Sequence, residues 1–453
     1  MTINELKRVY FLGIGGIGMS ALARYFINIG VSVYGFDLTQ TEITDNLIQE
    51  GATIHFDENI SKIPEDVDLV IHTPAVNKQH AEYQYFVKNN IPILKRSQML
   101  GMISDSAPTI AVAGTHGKTT TTAMISHLLN PEEKILAFIG GISKNLNSNF
   151  LMHTPYSTVV AEADEYDRSF LTLHPATAVI TSMDADHLDI YGGKKQLEES
   201  FQLFARQVNE NGTLILNESV YSLIEHPHKI SYGFDPSCDY YATDIRLFPN
   251  KAIFNIHCWN KTFENVQLSV TGNYNVLNAL AAFAAVSMEF ERRGRIVDTT
   301  LFLKKLADFT GVKRRFDFQI EKENFVFIDD YAHHPEEIRA FITAVRKVYP
   351  TKKITGIFQP HLFSRTRDFG AQFAEVLALL DKVILLEIYP ARELPIPGIN
   401  ADWLLNQIDI KDKVLLTTEE LIPYLMINMP DVLVTIGAGN IDKLVPKIKA
   451  SLE

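Results

Sequence analysis

The amino-acid sequence predicts an α/β protein of three domains, and three observations lead to that prediction. Short β-branched runs alternate with helical patterns along most of the chain, as in parallel sheets covered by helices. The alternation restarts after a polar, proline-containing segment at 104–109 and again near "FTGVKRRFDF". The chain is also too long for one ordinary core, because its 453 residues exceed the usual ~100–200 residues of a domain.

The first predicted domain, residues 1–105, is Rossmann-like and begins with a glycine turn. The stretch "VYFLGIGGIGMSALARYF" predicts a strand, a turn and a helix, and Gly13, Gly15 and Gly18 match G-x-G-x-x-G. Asp37 ends the next predicted strand, where dinucleotide-binding folds place a carboxylate near a ribose. The pattern predicts a diphosphate at the helix N-terminus and does not specify nicotinamide.

The second predicted domain, residues 106–310, is a P-loop-type ATPase domain with a mostly parallel sheet. Its stretch "AVAGTHGKTTTTAMISHLL" places a glycine-lysine turn between an apolar strand and a helix. Gly114 and Gly117 allow backbone N–H groups to face a phosphate, and Lys118 is expected to reach the terminal phosphates of ATP. Between 240 and 270 the pattern changes to antiparallel hairpins, which predicts a small β-segment.

Oxygen-bearing side chains near this turn predict a metal site. The Thr119 hydroxyl follows the lysine directly, at the position that ligates Mg²⁺ in P-loop proteins. Two predicted strands end in clusters of acidic residues. The first cluster is Glu162, Asp164, Glu165 and Asp167, and the second is Asp184, Asp186 and Asp189 together with His187. Carboxylates at strand ends suit hard Mg²⁺. Among such carboxylates, His187 is expected to be either a metal ligand or a charge partner.

The third predicted domain, residues 311–453, is a second Rossmann-like unit with strands such as "FVFIDDY", "KITGIFQ" and "VLVTIGAG". Charged and histidine side chains cluster at three of its predicted strand ends. The clusters are Arg314 and Arg315; Asp329, Asp330, Tyr331, His333 and His334; and His361, Arg365 and Arg367. Because arginine forks suit phosphates and carboxylates, these clusters predict contacts to anionic substrates.

The composition is that of a folded globular protein and argues against several classes of partner. Hydrophobic residues make up 46% and charged residues 21% of the chain. A formal charge of −12 argues against nucleic acid and anionic membranes, since both need clustered lysine and arginine. The two cysteines, Cys238 and Cys258, lie outside any C-x-x-C or Cys/His array, which argues against a disulfide scaffold and a zinc site. Without a signal-peptide pattern or an apolar run of about 18 residues, we expect a cytoplasmic protein that does not insert into membranes.

Taken together, the motifs resemble a known family, the ATP-dependent Mur ligases of peptidoglycan synthesis. The resemblance covers essentially the whole chain and rests on eight stretches in the family's order: "GIGGIGMS", "AGTHGKTTTT", "EADE", "DADHLD", "NVLNALAA", "GVKRRFDF", "DDYAHHPEE" and "FQPHLFSRTRDF". "GTHGKT" resembles the family's own phosphate loop, which is shorter than the common P-loop and accounts for Val112 where that loop has glycine. The resemblance implies one domain each for a UDP-sugar, ATP and an amino acid.

The resemblance also implies roles for individual residues. The nucleotide contacts that it implies are Gly114, Thr115, Gly117, Lys118, Thr119, Thr120, Asn278, Arg315 and Asp330. The metal ligands are Thr119, Glu162 and His187, and the catalytic residues are Lys118, His187, Arg315 and His334. The UDP-sugar contacts are Gly13, Gly15, Gly16, Gly18 and Asp37, and the amino-acid contacts are Tyr331, His334, His361 and Arg365.

The reaction that the resemblance implies has two steps. The γ-phosphoryl group of ATP passes to the lactyl carboxylate of UDP-N-acetylmuramic acid, and the amine of L-alanine then attacks the acyl phosphate. His334 is expected to accept the ammonium proton, and one or two Mg²⁺ ions, replaceable by Mn²⁺, are the expected cofactor. Closure of the third domain is expected to exclude water from the acyl phosphate. A monomer or weak homodimer is expected.

Three departures from the family leave parts of this prediction open. Leu362 stands where relatives usually carry a basic residue, so one contact to the amino-acid carboxylate is open. Asn273 and Tyr274 stand where relatives often carry Arg-His. The stretch "LEESFQLFAR" has no lysine of the kind that some relatives carbamylate, so completion of a second metal site is also open.

Several other activities remain alternatives at this point. A related ligase attaches a recycled cell-wall tripeptide to the same UDP-sugar and shares most of these motifs. Glycine or L-serine could replace L-alanine, since one methyl group is worth only about 1–3 kcal/mol of discrimination. A nicotinamide-dependent oxidoreductase would use the first glycine turn and leave the second turn unexplained. A non-catalytic nucleotide-gated binding protein would release ADP independently of any amino acid.

Overall fold

Three β-sheets follow one another along the chain in a computed structural model that describes residues 2–184, 193–391 and 393–453. Each sheet is mostly parallel and helices alternate with its strands, which confirms the predicted α/β class with three sheet-centred domains. Every residue of the central strands Thr109–Ala113 and Val432–Ile436 is buried, as expected where helices cover both faces. The boundaries at 105/106 and 310/311 stay predictions.

The first sheet has five parallel strands in the order β3-β2-β1-β4-β5. The strands are β1 Arg8–Leu12, β2 Ser32–Phe36, β3 Thr53–His55, β4 Leu69–His72 and β5 Ile93–Lys95. The helices between and after them are α1 Ile17–Asn28, α2 Glu42–Gln49, α3 Ala81–Lys88 and α4 Arg96–Ser104. Because the chain runs outward from β1 on both sides, β1 and β4 form a topological switch point. The first glycine turn follows β1 at this point.

The second sheet has ten strands in the order β15-β14-β13-β12-β11-β10-β6-β9-β7-β8. They are β6 Thr109–Ala113, β7 Ile135–Ser143, β8 Ser148–Met152, β9 Thr158–Glu162, β10 Thr177–Ile180, β11 Thr213–Asn217, β12 Lys229–Gly233, β13 Tyr240–Phe248, β14 Lys251–Cys258 and β15 Lys261–Leu268. Among the described residues its helices are α5 Lys118–Leu129, α6 Lys194–Ala205, α7 Asn273–Arg292 and α8 Thr299–Asp308.

Most neighbours in this second sheet are parallel, and β6 lies between β9 and β10. Strand β8 runs antiparallel to β7 at one edge. At the other edge, two-residue connections join β13 to β14 and β14 to β15, which is how antiparallel strands are linked. The predicted β-segment is therefore present. The turn that follows β6 lies at the carboxyl edge of the sheet, beside the end of β9.

The third sheet has six strands in the order β16-β17-β21-β18-β19-β20, and only β16 is antiparallel to its neighbour. The strands are β16 Asp317–Glu321, β17 Val326–Asp330, β18 Ile354–Phe358, β19 Lys382–Leu385, β20 Lys413–Leu415 and β21 Val432–Ile436. The helices are α9 Pro335–Val348, α10 Phe363–Leu377, α11 Ala401–Gln407, α12 Thr418–Ile427 and α13 Val445–Leu452. Separate apolar clusters pack on the two faces of this sheet.

By its internal contacts the chain divides into two compact units. The second unit takes in Gly311–Glu453 together with Asp244–Phe254 and Gln267–Val276, and the first unit holds the rest. Within the first unit, one apolar core joins the first two sheets, and the Tyr25 ring of α1 lies 6.2 Å from the Phe138 ring of β7. Asn149 of β8 donates to the Ile17 carbonyl at 2.6 Å, which fixes the start of α1. The first glycine turn is thus attached to the second sheet.

Short 3₁₀ segments complete the described structure at Ile3–Glu5, Ile60–Lys62, Tyr166–Thr172 and Asn440–Lys443. Within the part of the chain that the structure describes, no helix is both long and apolar enough to cross a membrane.

Candidate active site

The turn between β6 and α5 can only be built with glycine at two positions. Gly114 and Gly117 have φ values of +128° and +81°, in the left-handed region that side chains disfavour. A Cβ atom at 114 would overlap the Thr181 hydroxyl, and one at 117 would lie 2.6 Å from Asn278 Oδ1. The predicted strand, glycine turn and helix are therefore confirmed. Gly117 is the N-cap of α5 and offers no side chain to its first N–H groups, which suits an anion.

Hydrogen bonds to the end of β10 hold this turn in place. The Thr115 hydroxyl lies 2.8 Å from the Ser182 hydroxyl and accepts the Asp184 N–H at 3.0 Å. The His116 N–H donates to Ser182 Oγ at 2.9 Å. Thr115, implied as a nucleotide contact, thus also shapes the loop. Ser182 has no counterpart among the predicted site residues, because its partner is 66 positions away in the chain.

Lys118 is buried and paired in this structure. Its Nζ donates to the Gly114 carbonyl at 2.6 Å and lies 2.8 Å and 3.0 Å from the two carboxylate oxygens of Glu165. Burial alone would lower the pKa of Lys118, but the carboxylates of Glu165, Glu162 and Asp164 together raise it above its ordinary value. The side chain is therefore a fixed ammonium at neutral pH.

The structure separates the four carboxylates that follow β9. Asp164 pairs with Arg96 at 3.1 Å and Asp167 with Lys95 at 2.8 Å, so both are tied to the chain around the start of α4. Glu165 pairs with Lys118, as described above. Glu162 lies against the backbone of β7, where it accepts the Gly140 N–H at 3.0 Å. Of the predicted acidic group, Glu162 is therefore the carboxylate best suited to a metal.

The predicted metal ligands can be assessed only in part. Thr119 and Thr120, in the first turn of α5, are 6% and 8% exposed. Thr119 and Glu162 supply hydroxyl and carboxylate oxygens, a donor set that fits Mg²⁺. His187, Asp186 and Asp189 lie outside the described residues, so the role of His187 stays a prediction. Among the described residues, no three His, Cys, Asp or Glu side chains converge as a metal-binding group.

Asn278, implied as a contact to the nucleotide, lies on α7 directly behind the turn. Its Oδ1 accepts a hydrogen bond from the Thr121 hydroxyl at 3.2 Å. The residue is 6% exposed and is the neighbour that a side chain at 117 would strike. The structure therefore brings Asn278, Gly117 and the start of α5 together, and the contact of Asn278 to the nucleotide stays a prediction.

The first glycine turn, at the end of β1, also has a glycine with positive φ and closely packed neighbours. Gly13 has φ +84°, and a Cβ atom there would lie 2.7 Å from the Thr73 methyl group. The Gly15 N–H donates to Asp37 Oδ2 at 2.8 Å, so the predicted carboxylate does lie at the turn. A Cβ atom at Gly18 would lie 2.9 Å from the Arg96 guanidinium. Arg96 is thus a turn neighbour that the sequence pattern alone did not reveal.

Gly16 is the N-cap of α1 and, like Gly117, offers no side chain to the helix N–H groups. The α1 helix is 12 residues long, as is α5. The chain therefore presents two uncapped helix N-termini after glycine turns. Each is a geometry that favours phosphate.

In the second unit, Asp330 is buried at the end of β17. Its carboxylate accepts the N–H groups of Phe316 at 2.7 Å and Ala332 at 2.8 Å. Burial raises the pKa of Asp330 to about 7, although Arg315 and the two N–H groups oppose that rise. Arg315 and Arg314 each lie 5.0 Å from the centre of the Tyr331 ring. The structure thus brings Asp330, Arg315 and Tyr331 together.

The predicted amino-acid contacts surround the start of α10. His334 is 4% exposed, and its ring lies 4.8 Å from the Phe369 ring. The His361 ring stacks on Tyr389 at 5.7 Å, and Arg365 lies in the first turn of the helix. Within the described chain the Arg365 side chain makes no hydrogen bond or ion pair, so its guanidinium is available to a carboxylate.

Three features of this unit were not predicted from the sequence. Leu362, where the family resemblance led us to expect a basic residue, is the N-cap of α10 and has φ +72°. Glu393 accepts the Ser364 N–H at 2.9 Å and caps the same helix from a distant loop. Tyr274 lies in the same unit, and burial raises its pKa well above the ordinary value, with Asp330 adding to the rise. No local sequence signal marks these long-range contacts.

Comparison with known proteins identifies what this arrangement is similar to. Three family models match: "Mur ligase family, catalytic domain" over residues 8–107, "Mur ligase middle domain" over 112–286, and "Mur ligase, glutamate ligase domain" over 314–439. The UDP-N-acetylmuramate--L-alanine ligase of Christiangramia forsetii is 46% identical over 99% of this chain and 98% of its own length.

Solved structures agree with this assignment. The UDP-N-acetylmuramate-alanine ligase of Thermotoga maritima is 28% identical, with a TM-score of 0.84, and covers 98% of this chain and 99% of its own. A murein peptide ligase from Psychrobacter arcticus covers 98% of both chains at 21% identity and a TM-score of 0.71, which is a likeness of fold alone.

Proposed function

The chain belongs to the Mur ligase family, and from that premise we propose that it joins L-alanine to the lactyl carboxylate of UDP-N-acetylmuramic acid. ATP is the phosphoryl donor, an acyl phosphate is the intermediate, and ADP and phosphate are the other products. The substrates are those in the names of relatives that match almost the whole chain. The enzyme is an amide-forming, ATP-dependent ligase of peptidoglycan precursor synthesis.

One observation carries the ATP step: the buried, protonated Lys118 at the uncapped N-terminus of α5. The N–H groups of that terminus and the ammonium together offer fixed positive charge to the β- and γ-phosphates. Charge on the transferring phosphoryl group would therefore be stabilised by the helix N–H groups and by the ammonium. Gly114 and Gly117 let the loop pack closely against Thr181 and Asn278.

We assign the metal site to Thr119 and Glu162, with His187 at a second ion. These residues would hold Mg²⁺, for which Mn²⁺ can substitute, and the ion would supply positive charge that offsets the charge of the phosphates. The hydroxyl and the carboxylate suit this ion, as described above. Thr115, Thr120 and Asn278 shape the nucleotide pocket around the turn.

The UDP-sugar is proposed to bind at the first glycine turn, between Gly13 and Gly18. The uncapped N-terminus of α1 faces the diphosphate, and the Asp37 carboxylate lies near the ribose. Asp37 already bonds to Gly15 N–H, so the turn and the carboxylate are positioned before ligand binds. This preorganisation supports a specific site.

The amino acid is proposed to bind in the second unit, along Tyr331, His334, His361 and Arg365. The Arg365 guanidinium would hold the carboxylate of L-alanine. His334 would take the proton from the ammonium, so that the amine can attack the acyl phosphate. Arg315 and Asp330 would contact the nucleotide. We propose a cytoplasmic monomer or weak homodimer without nucleic-acid partners.

A coupled assay of ADP release tests this function. The purified chain is given Mg²⁺-ATP and UDP-N-acetylmuramic acid, with L-alanine, glycine, L-serine or a cell-wall tripeptide as the acceptor. The expected result is the highest kcat/KM with L-alanine. A preference for the tripeptide would indicate the ligase that recycles cell-wall peptide. ADP release without any acceptor would indicate a nucleotide-gated binding protein. Binding of NAD or NADP without UDP-sugar binding would indicate an oxidoreductase.

A further inference from the structure

All three N–H donors of the Lys118 ammonium are used inside the protein. Nζ donates to the Gly114 carbonyl at 2.6 Å, to the Thr115 carbonyl at 3.4 Å and to Glu165 Oε1 at 3.0 Å, and it lies 2.8 Å from Glu165 Oε2. An ammonium has three donors and accepts nothing. A terminal phosphate of a nucleotide can therefore bind Nζ only if at least one of these contacts is given up.

The position of Glu165 is fixed by its neighbours. Asp164 on one side pairs with Arg96 at 3.1 Å, and Asp167 on the other pairs with Lys95 at 2.8 Å. The Glu165 carbonyl accepts the Arg168 N–H at 2.9 Å. The Glu165 side chain is 1% exposed and that of Lys118 is 14% exposed. Water therefore screens this ion pair little.

The Glu165 carboxylate and a terminal phosphate are both anions and both suit the same ammonium. The Gly114 carbonyl belongs to the phosphate loop and is neutral, so the carboxylate is the competing charge. We propose that Glu165 holds Lys118 in a docked position and that nucleotide binding exchanges the Lys118–Glu165 ion pair for a Lys118–phosphate contact. This inference rests on the proposed function, in which ATP binds at this loop.

The exchange has a measurable consequence. Part of the attraction between Lys118 and the phosphates is offset by the ion pair that must break. Glu165 also adds negative charge beside the site, which opposes the triphosphate. Glu165 is thus a positioning residue that sets nucleotide affinity through Lys118, and it does not touch the reacting atoms.

The test compares nucleotide affinities of Glu165→Gln and wild-type protein by calorimetry. The variant keeps the shape of the side chain and removes its charge. We expect ATP and ADP to bind about tenfold more tightly, because Lys118 is then released. AMP, which lacks the β- and γ-phosphates, should bind with unchanged affinity. Glu225→Gln, which removes the charge of a carboxylate whose side chain is 84% exposed, should leave all three affinities unchanged.

The possible results distinguish a failure of the inference from a failure of the proposed function. If the wild-type protein binds no ATP, the proposed function fails. If it binds ATP but Glu165→Gln binds ADP and ATP no more tightly, the competition is absent and the inference is overturned. An equal gain for AMP would also overturn it, because the effect would not pass through the terminal phosphates.

A structure of the wild-type protein with a non-hydrolysable ATP analogue gives the same decision if the variant does not fold. The expected result is Nζ on a terminal phosphate and more than 4 Å from both Glu165 oxygens. A retained ion pair in that complex would contradict the exchange.

Discussion

Asn278 Oδ1 lies 2.6 Å from the point where a Cβ atom on residue 117 would stand. The helix that carries Asn278 and the turn that carries Gly117 therefore approach so closely that residue 117 must have no side chain. The approach places the amide of Asn278 beside the first turn of α5, at the proposed phosphate site.

Replacing Gly117 with alanine should weaken ATP binding about 100-fold, because the turn must move away from Asn278 and from its phosphate geometry. Gly30→Ala is the matched control: Gly30 has φ +83°, but nothing lies within 4 Å of a Cβ atom there. Both variants should lose about 1 kcal/mol of stability from backbone strain. Calorimetric titration with ATP distinguishes them, and equal affinities in the two variants would contradict the steric argument.

The buried Asp330 should make stability fall with rising pH. Burial raises its pKa from 3.8 to about 7 in the folded state, so between these values the folded chain binds more protons than the unfolded chain. Stability from this group is therefore fully present below pH 3.8 and is lost as pH rises through 7. The loss is at most about 4 kcal/mol at 1.36 kcal/mol for each pKa unit.

Asp330→Asn should remove that part of the pH dependence. Urea unfolding of wild-type and variant protein between pH 4 and pH 8 measures it, with the exposed Asp402→Asn as a control that keeps the wild-type slope. The difference in unfolding free energy between Asp330→Asn and wild type should grow in favour of the variant as pH rises. A constant difference across the range would show that Asp330 does not titrate there.

Leu362 is expected to carry backbone strain, since a leucine at φ +72° lies in the left-handed region. Leu362→Gly should therefore be more stable than Leu362→Ala by about 1 kcal/mol, although glycine is usually the less stable residue. Both variants remove the same apolar side chain, so the comparison isolates the backbone. Thermal unfolding measures the order, and a more stable alanine variant would exclude strain at this position.

The strand-turn-helix units were predictable because hydrophobic periodicity and glycine placement are local signals. Gly13 and Gly117 show this, since both adopt the positive φ that their motifs require. The different partners of the four carboxylates that follow β9 were not predictable. Asp164 and Asp167 pair with Arg96 and Lys95, which lie 68 and 72 positions away in the chain. Such pairs depend on packing between domains, and sequence spacing carries no information about them.

The family motifs named more candidate site residues than residue spacing alone could. The resemblance named Asn278 as a nucleotide contact, and in the structure it bonds to Thr121, 157 positions away; the nucleotide contact stays a prediction. Ser182 and Glu393 were not predicted. They hold loops in place through hydrogen bonds, and no sequence motif marks such a role. His187 stays a prediction, since it lies outside the described residues.

The most direct test of the account is the rate at which Lys118→Met forms the amide product in a single turnover. The assay uses UDP-N-acetylmuramic acid, L-alanine and saturating Mg²⁺-ATP, well below the melting temperature of the variant. We predict a fall of at least about 1,000-fold, because the Lys118 ammonium stabilises the transferring phosphoryl group. The exposed Lys194→Ala should keep the wild-type rate. An undiminished rate in Lys118→Met would contradict the assignment of this loop to the triphosphate.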